Sequence, residues 1–178
     1  ADNLYMLNIK KLFINYRYLL LIIIVIGFLF RILYISNLDF YYDEAGHAMS
    51  QKALIENRIS PWVTISWQPP IYSYAVSILT RILDVSEFSL RLTSAIFGTL
   101  SVVLVYYLAK LWFDEKTGLL ASTLLAVSPL HVIYSRTAFS DVFHTFFIVL
   151  TILTIEFLIF KKFNKLYTRI LILLSGIL

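Results

Sequence analysis

The chain has 178 residues, of which 60% are hydrophobic and 15% are charged, and its mean hydropathy is +0.81. A soluble domain needs a more polar surface, so this composition indicates a protein whose main solvent is the lipid bilayer. The absence of cysteine excludes disulfides, thiolate metal sites and cysteine nucleophiles. Loop lysines and arginines that set membrane orientation explain the net charge of +4, and no nucleic-acid partner is expected.

Long apolar runs without two-residue alternation predict membrane-spanning helices, because backbone N–H and C=O groups must be paired internally in hydrocarbon. We therefore expect an all-α polytopic membrane protein. The first span is predicted at 18–35, close to the roughly 20 residues that cross a bilayer core, and it lacks the cleavage pattern of a signal peptide. Further spans are predicted at 88–113, 117–134 and 137–160, with the start of a fifth at 166–178.

Residues 36–87 are predicted to form an outer loop between the first two spans, and its polar part, from Ser36 to about Pro70, cannot lie in hydrocarbon. Weak helical periodicity in 43–57 predicts a short helix at the membrane interface. Pro69-Pro70 begins an apolar segment that ends near Leu83 and is too short to span, so it is expected to re-enter or lie obliquely. The sequence thus predicts a loop of interfacial helices after the first span.

Charged residues divide the loops into two sides. The positive-inside rule assigns one set of loop ends to the cytoplasm, and it carries Lys10, Lys11, Arg17, Lys110, Lys116, Lys161, Lys162, Lys165 and Arg169. The opposite set is rich in acids, namely Asp39, Asp43, Glu44, Glu56, Asp84, Glu87 and Asp141. We therefore expect a cytoplasmic N-terminus and place the acidic motifs on the outer face, in the plasma membrane of a prokaryote.

Asp43 and Glu44 form the first candidate site, directly after an aromatic patch at 40–42. A carboxylate at the boundary between water and lipid is partly desolvated, which suits a general base, so both are candidate catalytic residues. His47 follows at helical spacing and could bind a divalent metal ion together with Glu44. The alternatives are a solvated acidic pair that begins a helix and a histidine that is only interfacial.

The second candidate site lies in 134–141, at the junction of the third and fourth spans. Arg136 offers a planar fork of donors that suits a phosphate group. Asp141 is an acid near the start of a span, where it needs a partner or a polar cavity, and it is also a candidate metal ligand with Glu44 and His47. The alternative is a structural ion pair that joins Arg136 to Asp141 or to Glu44.

Five short motifs in a fixed order make the sequence resemble a known family. They are Asp43-Glu44-Ala45, Gln68-Pro69-Pro70-Ile71-Tyr72, Val85-Ser86-Glu87-Phe88-Ser89-Leu90-Arg91-Leu92, Ser128-Pro129, and Tyr134-Ser135-Arg136 with Ser140-Asp141. This order resembles the N-terminal part of the GT-C glycosyltransferases, most closely the protein O-mannosyltransferase and lipid A aminoarabinose transferase group. The resemblance implies a GT-C-type bundle of transmembrane helices with an interfacial helical loop on the outer face.

The resemblance implies an inverting enzyme that moves a sugar from a polyprenyl-phosphate carrier to a hydroxyl of a protein, lipid or glycan. By similarity, Asp43 would be the general base and Glu44 would assist it or orient a metal ion. Arg136 would bind the donor phosphate, and Asp141 would lie across the same cavity. Metal dependence and oligomeric state are left open by the resemblance.

The sequence departs from the family at two points. Trp67-Gln68 precede the two prolines where relatives often have Glu-Lys, so a lysine contact to phosphate is not expected there. Relatives are also much longer, so we expect these residues to form the first part of such an enzyme. The alternative functions are an inactive lipid-binding or assembly subunit and a transporter segment. Transport is disfavoured because the ionisable residues lie at the interface rather than at mid-membrane.

Overall fold

The computed structural model describes residues 16–37, 39, 41–58 and 69–160, and within these residues it contains helices and no strands. The helices are α1 Tyr16–Ile32, α2 Tyr42–Ile55, α3 Pro70–Leu83, α4 Glu87–Trp112, α5 Glu115–Val127, α6 Pro129–Ser135 and α7 Asp141–Phe160, and a 3-10 turn, Ile35–Asn37, follows α1. The prediction of an all-α polytopic protein is confirmed. The predicted fifth span, Trp67-Gln68 and the basic residues before 16 and after 160 lie outside the described residues.

Among the described residues, three helical segments are long and apolar enough to cross a membrane: Tyr16–Asn37, Glu87–Trp112 and Asp141–Leu158. The third predicted span, 117–134, is divided into α5 and α6, which pass the same test only together and are bent by 59°. Pro129 explains the break, because it has no N–H to donate to the carbonyl of Leu125 and its ring disfavours a continuous helix. Helices α5 and α6 are therefore a bent pair where hydropathy alone predicts a straight span.

Capping residues fix where the helices begin. Ser86 Oγ accepts a hydrogen bond from the Ser89 N–H at 3.2 Å, and Ser89 Oγ accepts one from the Ser86 N–H at 3.0 Å, so α4 begins with a reciprocal cap. The Asp114 carboxylate accepts from the Thr117 N–H at 2.7 Å at the start of α5. Proline occupies the first turn of α3 and of α6, where its missing N–H leaves no hydrogen bond unmade.

Helix α4 is the centre of the bundle, and α1, α3, α5 and α7 all pack against it. Small residues allow this close approach, since Ser94, Ala95, Gly98 and Ser101 of α4 are buried. One apolar cluster consists of Tyr72, Val76, Leu90, Ala138 and Phe143 and joins α3 and α4 to the start of α7. A second, formed by Leu20, Tyr106 and Leu119, joins α1, α4 and α5 at the opposite end.

Helices α2 and α3 lie between α1 and α4, where the sequence predicts an interfacial loop. Helix α2 packs against α3 rather than running alongside the spans, and α3 packs against α4. The amide of Gln51 in α2 donates from Nε2 to the carbonyl of Ser73 in α3 at 3.2 Å. Two helices therefore follow the first span and are fastened to each other and to the bundle. Their location at the membrane interface stays a prediction.

Candidate active site

The two acidic motifs lie at one end of the bundle, which we call the motif end. The Ala138 N–H donates to Glu44 Oε1 at 2.7 Å, so the segment before α7 contacts the first turn of α2. Arg136 Nη2 donates to the carbonyl of Leu33 at 2.9 Å, so the same segment contacts the end of α1. The sequence predicted that both motifs share one side, and these contacts bring them together.

A buried ion pair between Glu44 and Arg91 fastens α2 to α4. Arg91 Nε donates to Glu44 Oε1 at 2.9 Å, and Arg91 Nη2 donates to Oε2 at 2.8 Å. Both side chains are completely buried. Two parallel bonds of this kind fix the carboxylate and the guanidinium in one plane, which makes the contact geometrically specific as well as strong.

The Glu44 carboxylate is saturated with hydrogen bonds. Besides Arg91, Oε1 accepts from the Ala138 N–H, and Oε2 accepts from the Tyr41 N–H at 3.1 Å. Burial alone would raise the pKa of Glu44, but the bonds from Arg91, Ala138 and Tyr41 outweigh it and hold the pKa below its ordinary value. Since all four acceptor positions are used, this geometry fits a residue that positions others while it stays ionised.

Arg91 binds the connection after α1 as well as Glu44. Its Nη1 donates to the carbonyl of Ile35 at 2.7 Å, its Nη2 donates to the carbonyl of Asp39 at 3.1 Å, and Glu87 Oε2 lies 3.6 Å from Nη1. Arg91 belongs to one of the five motifs, but the sequence assigns it no role. The signal was present, because an arginine in the second turn of a span is costly unless it is paired.

Asp43 has the opposite environment to its neighbour. Its side chain is exposed, and among the described residues its carboxylate makes no hydrogen bond or ion pair. The backbone that carries it is fixed, because Glu44 is the next residue and is anchored to Arg91 and Ala138. The motif therefore pairs one buried, engaged carboxylate with one accessible carboxylate on the same rigid turn.

His47 lies one turn after Asp43 and is almost completely buried, with 9% of its surface exposed. Its ring meets the ring of Phe139 edge-on, with centroids 6.4 Å apart, and its Nδ1 has no partner in the described part of the chain. Burial lowers the pKa of His47 and outweighs the negative charges of Asp43 and Glu44, which raise it. The imidazole is therefore held neutral at neutral pH.

The predicted metal ligands are not assembled as a set. Within the described ranges, no group of three His, Asp or Glu side chains could hold a metal ion. Glu44 has its acceptor positions filled, and Asp141 is exposed at the first turn of α7. The metal-binding role of Glu44, His47 and Asp141 stays a prediction.

Arg136 closes the end of α1. Its Nη2 donates to the carbonyls of Leu33 and Tyr34 at 2.9 and 3.2 Å, and its Nη1 donates to Phe30 at 3.4 Å. The helix ends here because the backbone of Tyr34 adopts the left-handed conformation, with φ of 56°. A cation at these carbonyls also complements the helix dipole. The ion pair considered between Arg136 and Asp141 or Glu44 is not present among the described residues.

A second hydrogen-bonded chain fixes the segment that carries Asp141. The hydroxyls of Tyr72 and Ser94 lie 3.2 Å apart, and Ser94 Oγ donates to the carbonyl of Phe139 at 3.1 Å. Burial raises the pKa of Tyr72, so its hydroxyl stays protonated. Asp141 thus begins α7 on a segment held from both sides, by Glu44 at Ala138 and by Ser94 at Phe139.

Part of the chain is similar to known proteins. The family model described as "Dolichyl-phosphate-mannose-protein mannosyltransferase" matches residues 67–177. An uncharacterized protein of Aquifex aeolicus (strain VF5) is 29% identical over 124 residues, which are 69% of this chain and 25% of that relative. The chain thus spans about a quarter of the length of the curated relative it matches. No solved structure matches the chain significantly.

Proposed function

Because this chain belongs to the dolichyl-phosphate-mannose-protein mannosyltransferase family, within the GT-C membrane glycosyltransferases, we propose that it supplies the acid–base part of a sugar-transfer site. The proposed reaction moves a sugar from a polyprenyl-phosphate donor to an acceptor hydroxyl on a protein, lipid or glycan. The observation that carries the proposal is the exposed Asp43 carboxylate beside the fully bonded Glu44. Adjacent acids with such different environments are suited to different tasks.

Asp43 is the proposed general base. Its carboxylate takes the proton from the acceptor hydroxyl as the hydroxyl oxygen attacks the anomeric carbon of the sugar. The new C–O bond forms on the face opposite the phosphate, while the old C–O bond breaks and its electron pair leaves with the polyprenyl phosphate. A single displacement of this kind inverts the configuration at the anomeric carbon.

Glu44 and Arg91 act in this scheme as positioning residues. Their buried pair joins α2 to α4, and the Ala138 N–H joins the same carboxylate to the segment before α7. A base must be held within a few tenths of an ångström of its working position to be effective. The rigid first turn of α2 supports such a role for Asp43.

Arg136 and Asp141 are the proposed contacts to the substrates. The guanidinium of Arg136 lies at the motif end near the exposed surface, where it can share its donors between the α1 carbonyls and a donor phosphate. Asp141 is exposed at the start of α7 and would accept a hydrogen bond from a sugar or acceptor hydroxyl. The two residues come from one segment, so they approach the same substrate region as Glu44.

The motif end is proposed to face the non-cytoplasmic side of a prokaryotic plasma membrane. The opposite end carries Lys110, whose Nζ lies 2.6 Å from Glu115 Oε1, together with Arg17 and Lys116. Basic residues at helix ends favour the cytoplasmic side. An outward motif end would admit a lipid-linked donor laterally from the bilayer.

The test is a transfer assay with the full-length protein in membranes. We expect transfer from a polyprenyl-phosphate-linked sugar and none from the matching nucleotide sugar, with NMR of the product showing inversion. Retention of configuration would exclude a single displacement by the acceptor hydroxyl with Asp43 as its base. Binding of the lipid donor without transfer to any acceptor would instead indicate a lipid-binding subunit.

A further inference from the structure

Arg31 in the last turn of α1 is completely buried, although it carries a full charge inside a membrane-spanning helix. Its Nη1 donates to the carbonyls of Gly27 and Ala126 at 2.6 and 3.1 Å. Its Nη2 donates to the carbonyl of Leu125 at 3.4 Å and lies 2.8 Å from Nδ1 of His131. No carboxylate among the described residues lies within ion-pair distance of it. A buried cation without a carboxylate calls for a functional explanation.

Two of the three carbonyls that Arg31 binds, those of Leu125 and Ala126, lose their helical donors at the break between α5 and α6. In a continuous helix, the N–H of residue 129 would donate to Leu125 and the N–H of residue 130 to Ala126. Pro129 has no N–H, and Leu125 otherwise receives only a long bond of 3.4 Å from the Ser128 N–H. The guanidinium is completely buried, and it supplies to these carbonyls the donors that the helix lacks.

Two glycines make room for this guanidinium. A Cβ placed on Gly27 would come within 3.3 Å of both Arg31 Nη1 and Ala126 Cβ. A Cβ on Gly98 of α4 would overlap Ser135 Oγ and lie 3.1 Å from Arg31 Nε. The side chain is therefore enclosed by three helices, and its position follows from the backbone around it.

His131 and Arg136 extend this contact to the motif end. His131 Nδ1 accepts from Arg31, so this ring nitrogen must be unprotonated, and Ser135 Oγ donates to the carbonyl of His131 at 2.5 Å. Arg136 follows directly and caps the end of α1, the helix that carries Arg31. Arg31 of α1 thus binds the carbonyl end of α5, and Arg136, directly after α6, binds the carbonyl end of α1. The segment after Arg136 leads to Ala138, whose N–H donates to Glu44.

We propose that Arg31 is a positioning residue, which sets the bend between α5 and α6 and so places Arg136 and the Ala138 N–H at the motif end. Its effect on transfer rests on the proposed function, but its effect on the direction of α6 does not. The two can therefore be tested separately.

The direction of α6 can be measured by spin-label distances in the full-length protein, with any cysteines outside this cysteine-free chain replaced. Labels at the exposed positions Ile133 in α6 and Tyr107 in α4 report the bend, and labels at Ile148 in α7 and Tyr107 form the matched control. In Arg31→Met we expect the 133–107 distribution to shift or broaden while the 148–107 distribution is unchanged. In Arg31→Lys, which keeps a cation and several donors, we expect a smaller change. A 133–107 distribution in Arg31→Met identical to that of the wild type overturns the proposal.

A double variant separates positioning from stability alone. Pro129→Ala restores an N–H for Leu125 and favours a straighter helix, so adding it to Arg31→Met should recover thermal stability. We expect kcat for transfer to stay about 10-fold or more below the wild type, because the bend is not restored. Recovery of kcat together with stability would show that Arg31 only stabilises the fold and would overturn the positioning role.

If Asp43→Asn leaves transfer intact while Arg31→Met still moves α6, the proposed function fails and the control of the bend by Arg31 stands.

Discussion

Glu44 and Arg91, 47 positions apart in the sequence, form a bidentate ion pair in which both side chains are completely buried. This pair fastens the interfacial helix α2 to the central span α4, and Glu44 also binds the N–H of Ala138. Three segments that are distant in the sequence thereby converge beside Asp43. The accessible acid of the motif is available for chemistry because its neighbour carries the structural contacts.

Breaking the buried pair should strongly destabilise the protein. In Glu44→Gln, an amide NH2 would face donors from Arg91, Ala138 or Tyr41, and Arg91 would lose its buried counter-charge. Loss of one partner of such a pair costs about 3–5 kcal/mol. The unfolding temperature of this variant in detergent should be far below that of the wild type. Glu56→Gln is the control, since the ion pair of Glu56 with Arg58 is exposed, and equal unfolding temperatures for the two variants would contradict the account.

The stability of the protein should fall as the pH is lowered through the range in which free histidine titrates. Burial holds the pKa of folded His47 below its ordinary value of 6.5. A group with a depressed folded pKa contributes stability above its unfolded pKa, and this contribution is lost as the pH falls through the folded pKa. Replacement of His47 by Phe removes the titrating group beside Phe139 and should weaken the pH dependence below about 6.5. Identical slopes for variant and wild type, from unfolding at several pH values, would argue against a buried neutral imidazole.

Alanine substitutions at Gly98 and Gly46 should differ in their effect on the stability of the protein. A Cβ at Gly98 would overlap the Ser135 side chain, so Gly98→Ala must push α6 away from α4 and should cost about 1–3 kcal/mol. A Cβ at Gly46 in α2 meets nothing within 4 Å, and alanine is favoured over glycine in helices by about 1 kcal/mol. Gly46→Ala should therefore match or exceed the stability of the wild type. Unfolding measurements that rank the two variants in reverse would show that α4 and α6 are not in close contact.

Arg136 should affect both the end of α1 and the binding of the donor. Arg136→Ala removes the cation from the carbonyls of Leu33 and Tyr34 and should cost about 0.3–2 kcal/mol of stability. If Arg136 also contacts the donor phosphate, the KM for the lipid-linked sugar should rise more in Ala than in Lys, which keeps the charge without the fork. Equal KM values in wild type, Lys and Ala would exclude the phosphate contact.

The sequence predicts much of the fold because membrane spans follow from local hydropathy. Helices α1, α4 and α7 lie close to the predicted spans, and the common end of the two motifs follows from their order along the chain. The break at Pro129 was missed because the apolar run continues through it, and hydropathy carries no information about direction. The sequence also could not choose the partner of Glu44. It suggested Arg136, whereas the structure pairs Glu44 with Arg91 of α4.

The contact of Arg31 with Leu125 and Ala126 illustrates the same limit. An arginine in the last turn of an apolar helix could equally extend its charge to the membrane surface. Its burial depends on a proline 98 positions later and on two glycines in different helices, which no local pattern connects. The motifs predicted that the two candidate sites lie at one end of the bundle, and the catalytic and binding roles of their residues stay predictions. The contacts that hold these segments together required the three-dimensional arrangement.

The most direct test of the role of Asp43 is the single-turnover rate of sugar transfer by Asp43→Asn in the full-length protein, with Glu56→Gln as the control. Asparagine keeps the size of the side chain and the Glu44–Arg91 pair, so the fold and donor binding should be retained. As the proposed general base, Asp43 should contribute about 10²- to 10⁴-fold, and the rate should fall by that factor while the control transfers at the wild-type rate. A rate for Asp43→Asn equal to that of the control would contradict the assignment of Asp43 as the base.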